Sequence, residues 1–483
     1  MNPHVNPKEI EENDSKYDLR EIGNIYMVSE KEPTHQINIK ELSSALKYPD
    51  QIENSLKNND IAKIQEIFNV FLKILLQSYI PKNEHIELID KMLPYILRFL
   101  NSTTPPDLLL LICHLILTIV DSSKYYSISL TNPSLFGAFV QVLQNVNKEE
   151  INEFLLNTVN IIFYNNDNLS TNIFSYFHPQ ILVLIFQNIN GHEAKKEVVQ
   201  LFINYFRKEN IKFDITASEL LISSLLQCLL SSGDSFDDLK MLILSAFGAF
   251  SVIYTDYSIE LFTKLRIYEL LEKNILSILT FKGDENLIIH TFYSLYKAVH
   301  KKLTFSFPVK EIYQLIIDEQ ISEKVGFCVI GILSNMINNQ DSIEFNQLFI
   351  QPNVIEMIHH IMNGFSIELK NATAVIVGVV VATHNFDMIK DFVTSSVLTN
   401  IIDLMINEYD PIFMGGILVS MLFIIKDAAP EGEIYHHFIS VLIENNLLDH
   451  LEQMILNVDD QSHTIELIHS QLLQEINSYA TNG

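Results

Sequence analysis

The chain has no tryptophan, and only 3 cysteines, 14 glycines and 14 prolines among its 483 residues. No glycine-rich loop of the kind that cradles phosphates occurs, nor does Gly-x-Ser-x-Gly, His-Glu-x-x-His or Cys-x-x-Cys. With those signatures missing, the chain reads as a non-enzyme that uses no cofactor. Cys113, Cys228 and Cys328 stand far apart in apolar surroundings, as reduced core residues of an intracellular protein do. The adjacent pairs His359-His360 and His436-His437 point about 100° apart on a helix, which makes them poor metal ligands.

Positive charge is equally scarce. Lysine and arginine number 32 against 59 acids, for a net charge of −27. Nucleic acid would be repelled by such a surface, and no Lys/Arg run offers it a local site. A basic protein or peptide is what an acidic surface attracts, although the same charge also keeps an apolar chain soluble. Long hydrophobic runs are lacking too. Leu108–Val120, Ala372–Thr383 and Phe413–Ile425 all fall short of the roughly 18 residues a membrane span needs, so they read as buried helices and no membrane is expected. The first residues are polar and charged, with no secretory signal, which points to the cytoplasm or nucleus and leaves the sequons at Asn13, Asn101, Asn168 and Asn371 without consequence.

What the chain does have is a repeated phrase: apolar, two free positions, two apolar. It reads Ile89-x-x-Met92-Leu93, Phe136-x-x-Phe139-Val140, Ile181-x-x-Leu184-Ile185 and Ile222-x-x-Leu225-Leu226. It continues as Ile267-x-x-Leu270-Leu271, Ile312-x-x-Leu315-Ile316, Val354-x-x-Met357-Ile358 and Leu398-x-x-Ile401-Ile402, with a truncated copy at Leu448-x-x-Leu451. The steps run from 41 to 50 residues. A period of this size marks a helical solenoid, in which each unit buries its apolar face only against its neighbours.

Helix-start chemistry precedes several copies. Pro133, Pro179, Pro308 and Pro352 suit a first helical turn, and Ser218 and Ser395 offer side-chain caps. The periodicity predicts a short lead helix, a middle helix holding the phrase and a long third helix, with Ile61–Leu76 as the first clear stretch. Predicted third helices include residues 152–164, 195–206, 323–337 and 371–383. Those that are apolar nearly all round belong at the centre of the stack. Residues 1–40 read as a flexible polar leader and 41–483 as the repeat domain.

Three helices per unit and a period near 45 resemble the armadillo repeat. Residues Leu348–Ile358 look like that family's junction between first and second helices, with Gln351 where a glycine is usual. The importin-α type is the member most similar. Counting Ile61–Leu76 as repeat one makes the phrases repeats two to ten, and Leu447–Glu452 with Ile468–Tyr479 resembles the closing repeat. Gly331-Ile332-Leu333-Ser334-Asn335 is similar to the family's Trp-Ala-Leu-Ser-Asn stretch. The resemblance implies an all-α, right-handed superhelical solenoid of about ten repeats.

It further implies that Asn160, Asn204 and Asn335 line a concave groove and hold a partner's backbone, with Thr118 and His114 at the matching asparagine and tryptophan places of repeat two. The family's indoles make slots for lysine stems; here Leu156, Gln200 and Gly331 stand four residues before the asparagines. There is no arginine-rich segment of the kind that binds importin-β. The expected function is a protein-binding scaffold, or alternatively a transport adaptor for basic nuclear-localisation peptides. Apolar stretches of the third helices, Leu108–Ile119, Ala374–Val381 and Ile417–Ile425, read as core; any that faced the groove would suit a hydrophobic segment.

Overall fold

In a computed structural model, residues 45–483 are described except 78–81, 123, 132, 167–175, 190, 207–214, 232–236, 340–342, 408–410, 430–431, 458–461 and 483. The expected leader, 1–40, lies outside the described residues. All regular structure among the described residues is helical. They form two compact units, one ending at Leu265 and the other beginning at Arg266.

The N-terminal unit holds α1 (Tyr48–Lys57), α2 (Ile61–Gln77), α3 (Lys82–Arg98), α4 (Pro106–Ser122), α5 (Lys124–Ser129), α6 (Pro133–Asn145) and α7 (Glu149–Asn165). It continues with α8 (Pro179–Asn188), α9 (His192–Phe206), α10 (Ile215–Ser231), α11 (Asp238–Ile253) and α12 (Thr255–Lys264). The long helices pack in a row, α2 on α4, α4 on α7, α7 on α9 and α9 on α11. A second row runs α6, α8, α10.

The C-terminal unit starts with α13 (Ile267–Lys273), α14 (Ile275–Leu279), α15 (Glu285–His300), α16 (Val309–Ile317) and α17 (Glu323–Asn339). After the short turn Ile343–Asn346 come α18 (Val354–Gly364), α19 (Ile367–Val381), α20 (Phe386–Val393) and α21 (Ser396–Ile406). The last elements are α22 (Pro411–Ala428), α23 (Glu433–Glu444), α24 (Leu447–Asn457) and α25 (Ser462–Asn482). One row is α15, α17, α19, α22, α25; another is α16, α18, α21, α24; and α20 packs on α23. Each unit is thus a stack of helical layers in which a helix meets the corresponding helix of the next layer, the packing of an α-solenoid.

The recurring phrase is what holds the middle helices down. Its first and fourth positions lie one helical turn apart and are fully buried at Ile89/Met92, Phe136/Phe139, Ile222/Leu225, Val354/Met357 and Leu398/Ile401. In three further copies one of the two is only half-buried, Leu270, Leu315 and Leu448, and the copy in α8 departs most. In α8, Leu184 is 51% exposed while Leu182, Val183, Ile185 and Phe186 are buried, so the helix is rotated relative to the expected face. Pro133 and Pro179 open α6 and α8, where a missing N–H costs nothing. Ser395 caps α21 by accepting from the Val397 N–H. Ser218, expected as a cap, lies inside α10, which begins earlier at Ile215.

With glycine scarce, helices end on other residues in the left-handed conformation: Asn59, Arg266, Lys302, Glu319, His384 and Asn446. Two long helices are enclosed on every side: α9 from Glu197 to Phe206 and α11 from Leu239 to Ser251 contain no exposed residue. By contrast α22, at 18 residues and a mean hydropathy of 1.7, is long and apolar enough to cross a membrane by length and composition. Half of it is buried, against α19, α20, α21, α23 and α25, as in a core helix.

Candidate functional site

Asn160 and Asn204, expected to meet a partner, sit on α7 and α9, which pack against each other. Both are interior, 1% and 4% exposed. The Asn160 Nδ2 donates to the Glu197 main-chain oxygen at 2.9 Å and to its carboxylate at 2.8 Å. Its Oδ1 accepts from Asn204 Nδ2 at 3.1 Å, and Asn204 Oδ1 accepts from Gln200 Nε2 at 3.3 Å. A buried amide left unpaired costs about 1–3 kcal/mol, so this ladder fixes how two layers meet. Glu197 and Gln200 complete it, on one face of α9 with Asn204. Gln200 stood out in the sequence only as the residue four before Asn204; the missed signal was Glu197, which with Gln200 and Asn204 makes a polar stripe along a helix that is otherwise apolar from Val198 to Phe206.

The other three expected residues reach the surface. His114 and Thr118 are half-buried on α4, where the Thr118 hydroxyl donates to the His114 carbonyl oxygen at 2.8 Å. The His114 ring stacks on Phe154 of α7, centroids 4.8 Å apart and planes within 10°. Burial pushes the His114 pKa down and favours the neutral ring. Asn335 is half-buried on α17, its Nδ2 donating to the Gly331 carbonyl oxygen at 2.9 Å. Asn335 lies in the C-terminal unit, apart from the α4–α7–α9 group that holds the other four.

Acidic side chains gather where α7 and α9 begin. Burial, with repulsion from Glu193, Glu149 and Glu150, raises the pKa of Glu153. Lys196 bridges to Glu193 at 2.9 Å and lies 3.7 Å from Asp238 of α11. A shallow cleft of about 310 Å³ between α8 and α10 is lined by His178, Gln180, Thr216, Glu219, Leu220 and Ser223. No group of three or more His, Cys, Asp or Glu side chains that could hold a metal occurs among the described residues.

No protein-family profile matches the chain, and no curated protein matches it in sequence. Among solved structures it is similar to a crystal structure of importin beta in an ammonium sulfate condition, at 10% identity and a TM-score of 0.42. The match covers 90% of this chain and 59% of the importin beta chain, so the chain spans under two thirds of that protein's length.

Proposed function

We propose that the chain is a non-enzymatic, intracellular scaffold that binds other proteins along the outward faces of its long helices. The observation that carries this is the layering. Helices that meet the next layer keep accessible side chains on α4, α17, α19 and α22, though not in the enclosed parts of α9 and α11, and rows of this kind make extended binding surfaces. The finer reading is a set of about ten armadillo-like repeats, with the outward residues of α4, α7 and α17, among them His114, Thr118 and Asn335, toward the partner. Asn160 and Asn204 serve the same surface indirectly, by fixing the layers that carry it.

Proximity capture in the source cell tests the scaffold reading with three forms of the chain. One is the natural protein, one carries Val375→Glu with Val419→Glu on α19 and α22, and one carries Leu184→Glu with Leu220→Glu on α8 and α10. Partners lost from the second form but kept by the third are expected. Identical captured sets from all three overturn the proposal.

A transport adaptor for basic peptides is the second reading, favoured by one observation: Glu149, Glu150, Glu153 and Glu193 gather where α7 and α9 begin, an acidic excess that Lys196, bridged to Glu193, offsets only in part. Calorimetric titration with lysine-rich peptides is its test. Saturable binding lost in Glu153→Gln/Glu193→Gln is expected; no heat, or heat unchanged by the variant, removes this reading.

A further inference from the structure

Short helices stand before other middle helices of the C-terminal unit, α20 before α21 and α23 before α24, but none stands before α16. Residues 303–308, which join α15 to α16, carry no helix, turn or bend, the longest such stretch among the described residues. Exposure alternates along them as in an extended chain: Leu303, Phe305 and Phe307 are half-buried, while Thr304 and Ser306 are exposed. Two contacts hold the segment to α13. The Phe305 and Tyr268 rings lie 5.6 Å apart, and the Ser306 N–H donates to the Glu272 carboxylate.

The same segment is the basic exception in an acidic chain. Residues 286–310 hold four lysines, Lys297, Lys301, Lys302 and Lys310, and no Asp or Glu, whereas no other acid-free stretch holds more than two basic residues. The dipole of α15 favours Lys297 and Lys301 at its C-terminal end. Lys310 stands in the first turn of α16, where a dipole disfavours a cation, so helix ends do not explain the whole cluster. Adjacent basic pairs occur three times, at Lys195-Lys196, Arg207-Lys208 and Lys301-Lys302, and only the last has a hydroxyl residue two positions on, Thr304. Exposed threonines elsewhere are tied to a helix: Thr263, Thr280 and Thr394 each donate to the carbonyl oxygen four residues back. The Thr304 hydroxyl has no hydrogen-bond partner among the described residues.

We infer that Thr304 is a phosphorylation site for a serine/threonine kinase whose peptide groove is acidic. Such a groove takes its substrate as extended chain and pairs carboxylates with the exposed Lys301 and Lys302, three and two residues before the acceptor. The Thr304 Oγ1 attacks the γ-phosphorus of a nucleoside triphosphate. The new O–P bond forms as the bond from the γ-phosphorus to the bridging oxygen breaks; the nucleoside diphosphate leaves, and the hydroxyl proton passes to the kinase's base. The product adds a charge of about −1.5 to −2 beside Lys301 and Lys302, which removes much of the local positive excess. The site does not depend on what the scaffold binds.

The experiment incubates the folded full chain with ATP, Mg²⁺ and the catalytic domain of a kinase that selects basic residues before its acceptor, followed by intact mass and fragment mapping. It is run on the natural chain, on Thr304→Val and on Lys301→Gln/Lys302→Asn, in which asparagine suits the left-handed backbone of Lys302. Both variants are first checked for an unchanged helical spectrum and melting transition. Expected are one phosphoryl group mapped to Thr304, none there in Thr304→Val, and a rate about tenfold or more lower in the lysine variant, as the loss of charge-assisted contacts implies. A kinase that selects acidic residues should leave Thr304 unmodified. Modification of Thr304 at the same rate without the two lysines, or equally by both kinases, would overturn recognition by the basic pair. A free peptide of residues 297–310 that accepts phosphate while the folded chain does not would show the segment closed to a kinase and overturn the site.

Discussion

At the scale of single residues, Asn160 stands inside the packing of two layers, paired with neighbours of this chain. An asparagine on an apolar third helix is conspicuous, but sequence does not say whether its amide faces a visitor or a neighbouring layer. Here Asn160 satisfies Glu197 and Asn204. Asn160→Ala is therefore expected to cost about 1–3 kcal/mol in urea unfolding, and the Asn160→Ala/Asn204→Ala cycle to show a coupling of about 1 kcal/mol. Additive losses would mean the two amides act independently. Cys113 provides a pH signature. Its thiol is pushed by burial from the ordinary 9.0 up to about 12. The folded chain then keeps a proton that the unfolded chain releases, so this contribution is complete below pH 9.0 and lost as pH rises toward 12. Unfolding midpoints should fall across that window, less steeply in Cys113→Ala, and iodoacetamide should label Cys113 only after unfolding.

At the scale of helices, the phrase and the apolar periodicity made α2, α7, α9, α17 and α19 legible to within a few residues, because burial on one face repeats every turn. Less legible were the ends and the rotations. In α8 six apolar residues in succession, Ile181–Phe186, gave no contrast from which to choose a face, and Leu184 turned outward. Helix ends were obscured because the chain stops them without glycine. At the close of α15, the Leu303 N–H reaches the Ala298 carbonyl at 3.0 Å while Lys302 holds a φ of 67°. Lys302→Gly should stabilise the C-terminal unit by about 1 kcal/mol, read from the denaturation midpoint. Gly415→Ala should do the reverse by about 1–3 kcal/mol, because its new methyl meets Ile468 and Met405.

At the scale of the whole molecule, the composition pointed to helical layers but not to two compact units, since one repeat continues through Leu265 and Arg266 without a change of period. With a net charge of −27, self-repulsion opposes the folded state. Moderate sodium chloride is expected to raise the melting temperature by screening it, and a melting temperature independent of salt would show that local pairing already offsets the excess. The enclosure of α9 and α11 carries a kinetic consequence. Their amides have no accessible face from which solvent can work inward, so hydrogen exchange there must wait for the N-terminal unit to open as a whole. Helices at the margins, such as α1, can fray and reseal by themselves. The unit would then exchange slowest in α9 and α11 and fastest in helices such as α1, and its lifetime in the folded form would be set by residues 197–206 and 239–251.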